Sequence, residues 1–458
     1  MNKTTIENYN ILRQEIVDKN IKLVGNILSE KEKNIDNKLT ILRNNYIESV
    51  NSVPYNMPII RKPEIWETDL YKFCLELPKG SDLHVHGTAL LPMDKLIEFI
   101  KSNNKLFIGL DDYILTLTKD AKHIPLKEAL EKNIIKYDEL FKKWTIIGVK
   151  HNENRWRYFE NLFSYFEAID LDFDVLYDYY VTAFEYYLNL KIYHIEIHLL
   201  LDSNYDKAYK TVDTIKNAYH KVKNGNPFFS VRIIGGGMKD YSFDENDFIN
   251  RLENCYKIKT EIKDDYNKNE IKDFVVGFDL VNEEDSSKSL ENFAPKLLKF
   301  GNEHPDFQYY LHSGESLTPE SNNLIDAYLL NACRVGHGFN LYQYPYLLQD
   351  YVNKEICLEI CPISNQSLGY SKNIRNHPFY EYIKRGVTCS ICSDDPIFFE
   401  HNSLVDDFFA LIVCFDLGLT DIKQLCINSI SYSSLDSQEK INLMKHYKKE
   451  FDEFINKQ

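Results

Sequence analysis

The segment Asp82-Leu-His-Val-His-Gly sets two histidines, His84 and His86, two residues apart at the end of an apolar run. On an extended strand such residues point the same way, so both imidazoles can hold one metal ion. Four further runs end in residues of similar kind: LHSGE (311–315), RVGHG (334–338), LEICPISN (358–365) and SICSDDP (390–396). A third imidazole, His312, and a carboxylate, Asp394, complete a ligand set that leaves room for water. An ion held this way lowers the pKa of its bound water towards neutrality, to roughly 7 in favourable sites. His337, in a glycine-flanked turn, is placed to orient or deprotonate that water, and Asp394 counts among the catalytic residues as well as the ligands. Glu315 lies three residues beyond a ligand, beside the ion rather than on it, and can donate a proton to a substrate. Asp394 and Asp395, on an extended backbone, would face different directions, one towards metal and one towards substrate. Two carboxylates so close repel unless a cation lies between them or one holds a proton.

Residues this far apart meet only if strand ends are gathered together. Apolar runs recur at 82–86, 192–199, 228–234, 274–280, 307–312, 334–338, 357–363 and 387–393. Most intervals between them can hold a helix, which predicts an α/β fold: a (β/α)8 TIM barrel whose parallel strands end in one bowl. The interval 87–191 exceeds one crossover and is expected to hold extra helices after strand 1. Trp144, Trp156 and Tyr158 mark where a cover over the bowl would come from, although such an aromatic cluster is more often core. Residues 1–70 read as a helical accessory segment. Thr4 with Glu7, and Ser29 with Glu32, have capping-box spacing, and Ile21, Val24, Ile27 and Leu28 recur at helical intervals. This segment is expected to pack on the outside of the barrel or to pair subunits in a homodimer. Pro54, Pro58 and Pro63 mark the passage into the barrel domain, 71–458.

The 458 residues include 69 acidic and 54 basic side chains, a formal charge of −15 that repels nucleic acid and anionic membranes and favours a small-molecule partner. Nine cysteines, an odd number spread mostly through apolar segments, argue against a disulfide framework and for a reducing compartment. Glu7, Arg13 and Glu15 interrupt any secretory h-region, and the apolar run Phe408–Phe415 is too short to span a bilayer, so a cytoplasmic protein is expected. HIE (194–196) and CSIC (389–392) superficially supply a different zinc signature, H-x-E with C-x-x-C, but they lie far apart and inside apolar runs. Gly235–Gly237 reads as a strand-to-helix turn in the bowl, because the lysine of a phosphate loop and the full dinucleotide-binding spacing are missing.

Taken in order, PKGSDLHVH (78–86), VVGFDLVNEED (275–285), HSGES (312–316), RVGHGF (334–339), LEICPISNQSL (358–368), IRNHPF (374–379) and SDDP (393–396) closely resemble the adenosine deaminase family. Within it they are most similar to the adenosine deaminase-related growth factor branch, over roughly residues 75 to 420. The resemblance implies one Zn2+ per subunit on His84, His86, His312 and Asp394. It implies hydrolytic deamination at C6 of a purine nucleoside, adenosine or deoxyadenosine going to inosine or deoxyinosine plus ammonia. Glu315 would protonate N1, His337 assist the water, and Asp395 accept a hydrogen bond from N7. Asn282, where family members commonly have glycine, would turn its backbone to N3. Glu283 stands where the growth-factor branch often has a ribose-contacting histidine, and Gly314 is expected to line the same pocket. Gly87 and Thr88 stand where relatives often carry an acid near the sugar, which keeps AMP, methylthioadenosine and N6-modified nucleosides or nucleotides open as substrates. The presence of every ligand together with Glu315 and His337 argues against a non-catalytic purine-binding barrel.

Overall fold

Eight strands run parallel, each paired with its neighbours in chain order: β1 (Gly80–His86), β2 (Ile192–Leu200), β3 (Ser230–Met238), β4 (Val275–Val281), β5 (Gln308–Ser313), β6 (Arg334–His337), β7 (Cys357–Ile360) and β8 (Cys389–Ile391). The structure, a computed structural model, describes residues 28–49, 63–147, 149, 155–240, 245–264, 272–318 and 321–458, with isolated positions between 9 and 15. Beyond β8 the chain returns to β1 through a bridge between Val85 and Asp394. There the His86 N–H donates to the Asp394 carbonyl (3.1 Å) and the Asp394 N–H to the His84 carbonyl (2.9 Å). The barrel is therefore drawn shut by the same residues expected to hold the metal.

All eight expected strands are present, with shifted ends. β3 begins at Ser230 and continues through Gly235–Gly237 to Met238. The expectation of a turn at these glycines is corrected: Gly235 pairs with Leu199 and Phe278, and Gly236 with Leu200 and Asp279. β7 stops at Ile360 because Pro362 opens the helix Pro362–Leu368, where its missing N–H costs nothing. Asp394 does not continue an extended strand; its φ of 61° is left-handed.

Helices cover the barrel. Between β1 and β2 lie the expected extra helices, among them Met93–Ser102, Tyr137–Trp144, Arg155–Leu162 and Phe173–Asn189, together with a small antiparallel sheet of Phe107–Gly109, Leu115–Thr116 and His123–Ile124. Strands of two or three residues carry too little alternation to be read from sequence. Trp144 is buried and edge-on to Phe166 (5.0 Å), a core position. Phe159 stacks on Phe399 (5.4 Å) and Phe163 meets Phe398 (4.6 Å), so the Arg155–Leu162 region packs on the short helix directly after Asp395.

The helix Glu30–Ser49 begins with the expected capping box: Ser29 N–H donates to Glu32 Oε2 (2.8 Å) and Glu32 N–H to Ser29 Oγ (3.3 Å). Its apolar side faces the C-terminal helices. Tyr46 meets Phe409 edge-on (5.0 Å), Arg43 Nε donates to the Ile412 carbonyl (3.0 Å), and Asp36 accepts from Leu419 N–H (2.6 Å). The Thr4–Glu7 box, Ile21, Val24, Ile27, Pro54 and Pro58 lie outside the described residues. All nine cysteines are free thiols, and no helix among the described residues is long and apolar enough to cross a membrane.

Close strand approach is what makes Gly277 obligatory in β4. A Cβ there would overlap the Gln308 carbonyl and stand 2.6 Å from Tyr310 Cε2. Gly277→Ala should destabilise the fold by about 1–3 kcal/mol through overpacking, read as a lowered midpoint in denaturant unfolding. An unchanged midpoint would show that β4 and β5 can separate freely.

Candidate active site

The bowl at the C-terminal ends of the strands holds a compact set of imidazoles and carboxylates. His84 and His86 leave β1 on the same side, their Nε2 atoms 3.2 Å apart. Asp394 Oδ1 lies 3.2 Å from His86 Nε2 and 3.7 Å from His84 Nε2. His312, at the end of β5, brings a ring nitrogen within 4.8 Å of both. Burial, reinforced by its neighbour His198, holds His84 well below the usual imidazole range, and burial takes His312 down to about 3. Both are thus neutral rings with lone pairs converging on one point, an arrangement that repels unless a cation occupies it.

The far nitrogens are already committed. His84 Nδ1 pairs with Glu359 Oε2 (2.7 Å) and His312 Nδ1 with Asp279 Oδ2 (2.5 Å). A ring that donates Nδ1–H to a carboxylate must present a bare Nε2 on its other side. Asp279 Oδ2 also accepts from His198 Nδ1 (2.7 Å), and Glu359 Oε1 accepts from Arg334 Nε (2.6 Å), whose Nη2 donates to Glu196 (2.6 Å). The residues present therefore fit a divalent ion held by His84, His86, His312 and Asp394. Asp279, Glu359, His198 and Arg334 were not singled out from sequence. Their signal, polar residues at alternate positions inside apolar strands, is available but does not say which ring each one meets.

Glu315 and His337 stand beside this cluster. Burial, then the charges of Asp394 and Glu284, push the Glu315 carboxyl well above its usual range, so near neutral pH it carries a proton. His337 Nδ1 lies 3.4 Å from Glu315 Oε1 and its Nε2 lies 4.0 Å from Asp394 Oδ2. Gly336 permits this crowding: a Cβ there would sit 3.0 Å from His84 Cε1. His337 itself has φ of 65°. Left-handed backbone at His337 and Asp394 costs about 1–3 kcal/mol each, held by the surrounding barrel.

The expectation that Asp394 and Asp395 face apart is corrected. The left-handed turn at Asp394 brings the two carboxyls and His86 within 4.8 Å of one another. Burial, then the Asp394 charge, raises Asp395 well above the carboxylate range, whereas hydrogen bonding to His86 and the nearby imidazoles outweigh burial at Asp394 and keep it ionised. Asp395 Oδ1 is buried with no partner. A purine N7 has only a lone pair, so the expected direction also reverses: the Asp395 carboxyl would donate to N7.

The remaining pocket expectations fare differently. Asn282 has φ of 118° and folds its Oδ1 back onto Glu283 N–H (2.7 Å), which keeps its side chain compact. Glu283 is half-buried and accepts from the Ser286 hydroxyl. Gly314 has both backbone groups taken, its N–H by Glu284 (2.8 Å) and its carbonyl by Asn340 N–H (2.9 Å), so it shapes the loop rather than meeting a ligand. Glu284 and Asp285 tie the 314–318 loop to the end of β4, a role unassigned from sequence.

The barrel, its imidazole–carboxylate cluster and the adjacent protonated glutamate define a hydrolase of the (β/α)8 class. An adenosine deaminase family model matches residues 250–450. Adenosine deaminase 2 of Dictyostelium discoideum is 28% identical over 482 residues, covering 96% of this chain and 85% of that protein. The fold is also that of Arabidopsis ADAL complexed with IMP (TM-score 0.62, 15% identity, covering 84% of this chain and 99% of the other). A cog1816 amidohydrolase from Burkholderia ambifaria with bound Zn is similarly close (TM-score 0.62, 17% identity, 89% and 99% covered). The chain is thus similar to adenosine deaminases over nearly its whole length, and it is an adenosine deaminase-like hydrolase.

If Asp279 orients the third ligand, Asp279→Asn should weaken metal binding by about 10- to 100-fold. Competition with a chromogenic chelator measures this; unchanged affinity would show that Asp279 does not orient His312 for the ion.

Proposed function

We propose that this chain removes the 6-amino group of adenosine or deoxyadenosine with one zinc ion on His84, His86, His312 and Asp394. The observation carrying this reading is the buried, protonated Glu315 beside a converging set of neutral imidazoles. When bound, the ion supplies a water acidified to roughly neutral pKa. Glu315 is positioned to deliver its proton to N1, which makes C6 electrophilic, and His337 to orient the water by a hydrogen bond from its ring on the other side. Asp395, with its unpaired oxygen, anchors N7. Arg155–Leu162 packs on Pro396–Phe399 through Phe159 and Phe399, directly after Asp395.

A nucleotide substrate is the second reading, prompted by the IMP seen in Arabidopsis ADAL and by the space at Gly87, where a Cβ would meet only Leu199 at 3.6 Å. The missing acid is nevertheless supplied from another element. Thr88 Oγ1 donates to Asp170 Oδ2 (3.4 Å), two residues beyond His86. Burial raises the Asp170 carboxyl to about 7, so above that pH its charge repels a 5′-phosphate, which favours the nucleoside.

Ammonia release from adenosine, deoxyadenosine, methylthioadenosine and AMP, with a chelated control, tests the reading; fast, metal-dependent turnover of the nucleosides is expected. Activity on AMP alone would overturn the choice of substrate, and silence on all four would overturn the function. Glu315→Gln should keep its metal yet lose at least about 100-fold in kcat, while His312→Ala should lose metal. Wild-type activity in either variant contradicts the site.

A further inference from the structure

We propose that His377 is a positioning residue: through the Asn365 amide it dictates which oxygen of Glu315 and which nitrogen of His337 carry their protons. This rests on the reading of Glu315 as proton donor. The direction of every bond in the chain follows from one backbone donor. Phe379 N–H donates to His377 Nδ1 (3.0 Å), and a peptide N–H can only donate. His377 is buried against Phe339, edge-on at 5.1 Å, and burial takes its pKa down to about 3, so the ring is neutral with a single proton. That proton must sit on Nε2. It is donated to Asn365 Oδ1 (3.0 Å).

With its oxygen so engaged, the amide turns its NH2 towards the site. Nδ2 donates to Glu315 Oε1 (2.6 Å) and to His337 Nδ1 (3.2 Å). Both of those atoms are thereby required to be acceptors. The Glu315 proton is excluded from Oε1 and resides on Oε2, free of the amide. Because His337 Nδ1 accepts from the amide, the ring's proton lies on Nε2, the nitrogen facing Asp394. An amide free to flip would present its oxygen instead and draw the Glu315 proton onto Oε1, into a bond with Asn365 and away from a substrate. The Asn-His-Pro segment is built to hold His377 in place: Pro378 precedes the helix Phe379–Lys384, which fixes the Phe379 N–H at the helix start. Neither His377 nor Asn365 reaches the metal ligands directly, so their contribution is to proton placement alone.

The test uses the metal-loaded, full-length protein with adenosine. His377→Leu should keep one metal per chain and a KM within about threefold of wild type, while kcat falls about 10- to 100-fold. His377→Gln, whose amide can again donate to Asn365 Oδ1, should recover most of the loss. Should the leucine variant fail to fold, Asn365→Asp takes its place, since it keeps the shape and replaces the donor by an acceptor; a comparable fall in kcat is expected. Side-chain 15N spectra of histidine should show His337 and His377 protonated on Nε2 in the wild type. Wild-type kcat in the leucine or aspartate variant, a glutamine variant no better than leucine, or Nδ1-protonated His337 in the wild type would each overturn the proposal. Failure of the wild type to act on adenosine would refute the functional reading instead, and the spectra would still decide the relay.

Discussion

Glu359 joins the interior of the barrel to its chemistry. One oxygen takes the Arg334 guanidinium, the other takes His84 Nδ1, and all three residues are fully buried. Arg334 in turn holds Glu196 and lies over the Tyr310 ring, so charges from three strands meet where a barrel of this kind would ordinarily be packed with branched apolar side chains. Burial alone would drive these groups neutral. The two carboxylates instead keep Arg334 charged, and the Arg334 charge holds Glu196 well below its usual range. Breaking such a set by removing one partner costs about 3–5 kcal/mol, because the others are left charged and dry. The network's larger consequence is geometric: it specifies the tautomer and pitch of His84.

Around that anchor, the candidate ligands are held by protein partners. Asp279 orients His312, the β1–β8 bridge fixes Asp394 against His84 and His86, and Gly336 leaves room for the His84 ring. Left-handed backbone at His337 and Asp394 is tolerated because the strand ends on both sides are tied into the sheet. The bowl is thus preorganised: neutral imidazoles, one ionised and one protonated carboxyl, and a protonated Glu315 are set by burial and by fixed partners rather than by substrate.

Much of this was legible beforehand. A strand is a local pattern, and so is His-x-His, which is why eight strands could be placed, and four candidate ligands named, from runs of ten residues or fewer. The resemblance to a known family added roles for Glu315, His337 and Asp395. Gly235–Gly237 misled because glycine commonly marks a turn, whereas here the strand runs through it, and a Cβ at Gly235 would overlap the Cys255 side chain of the covering helix. The Asp394–Asp395 geometry misled because a single left-handed residue reverses which way the next side chain points, and non-glycine residues rarely adopt it. The small sheet after β1 was too short to show a period.

What the amino-acid order determines by itself is therefore the barrel, its register of apolar runs and the residue types at each strand end, since these depend on neighbours within a few positions. What only the tertiary structure decides is pairing across strands: that Asp279 serves both His198 and His312, that Glu359 serves His84 and Arg334, and that His377 speaks to Glu315 through Asn365. Those contacts join residues from 12 to 275 positions apart. Hydrogen-bond direction and the protonation it imposes are properties of that three-dimensional neighbourhood, because burial and partner geometry, not residue identity, set which atom holds the proton.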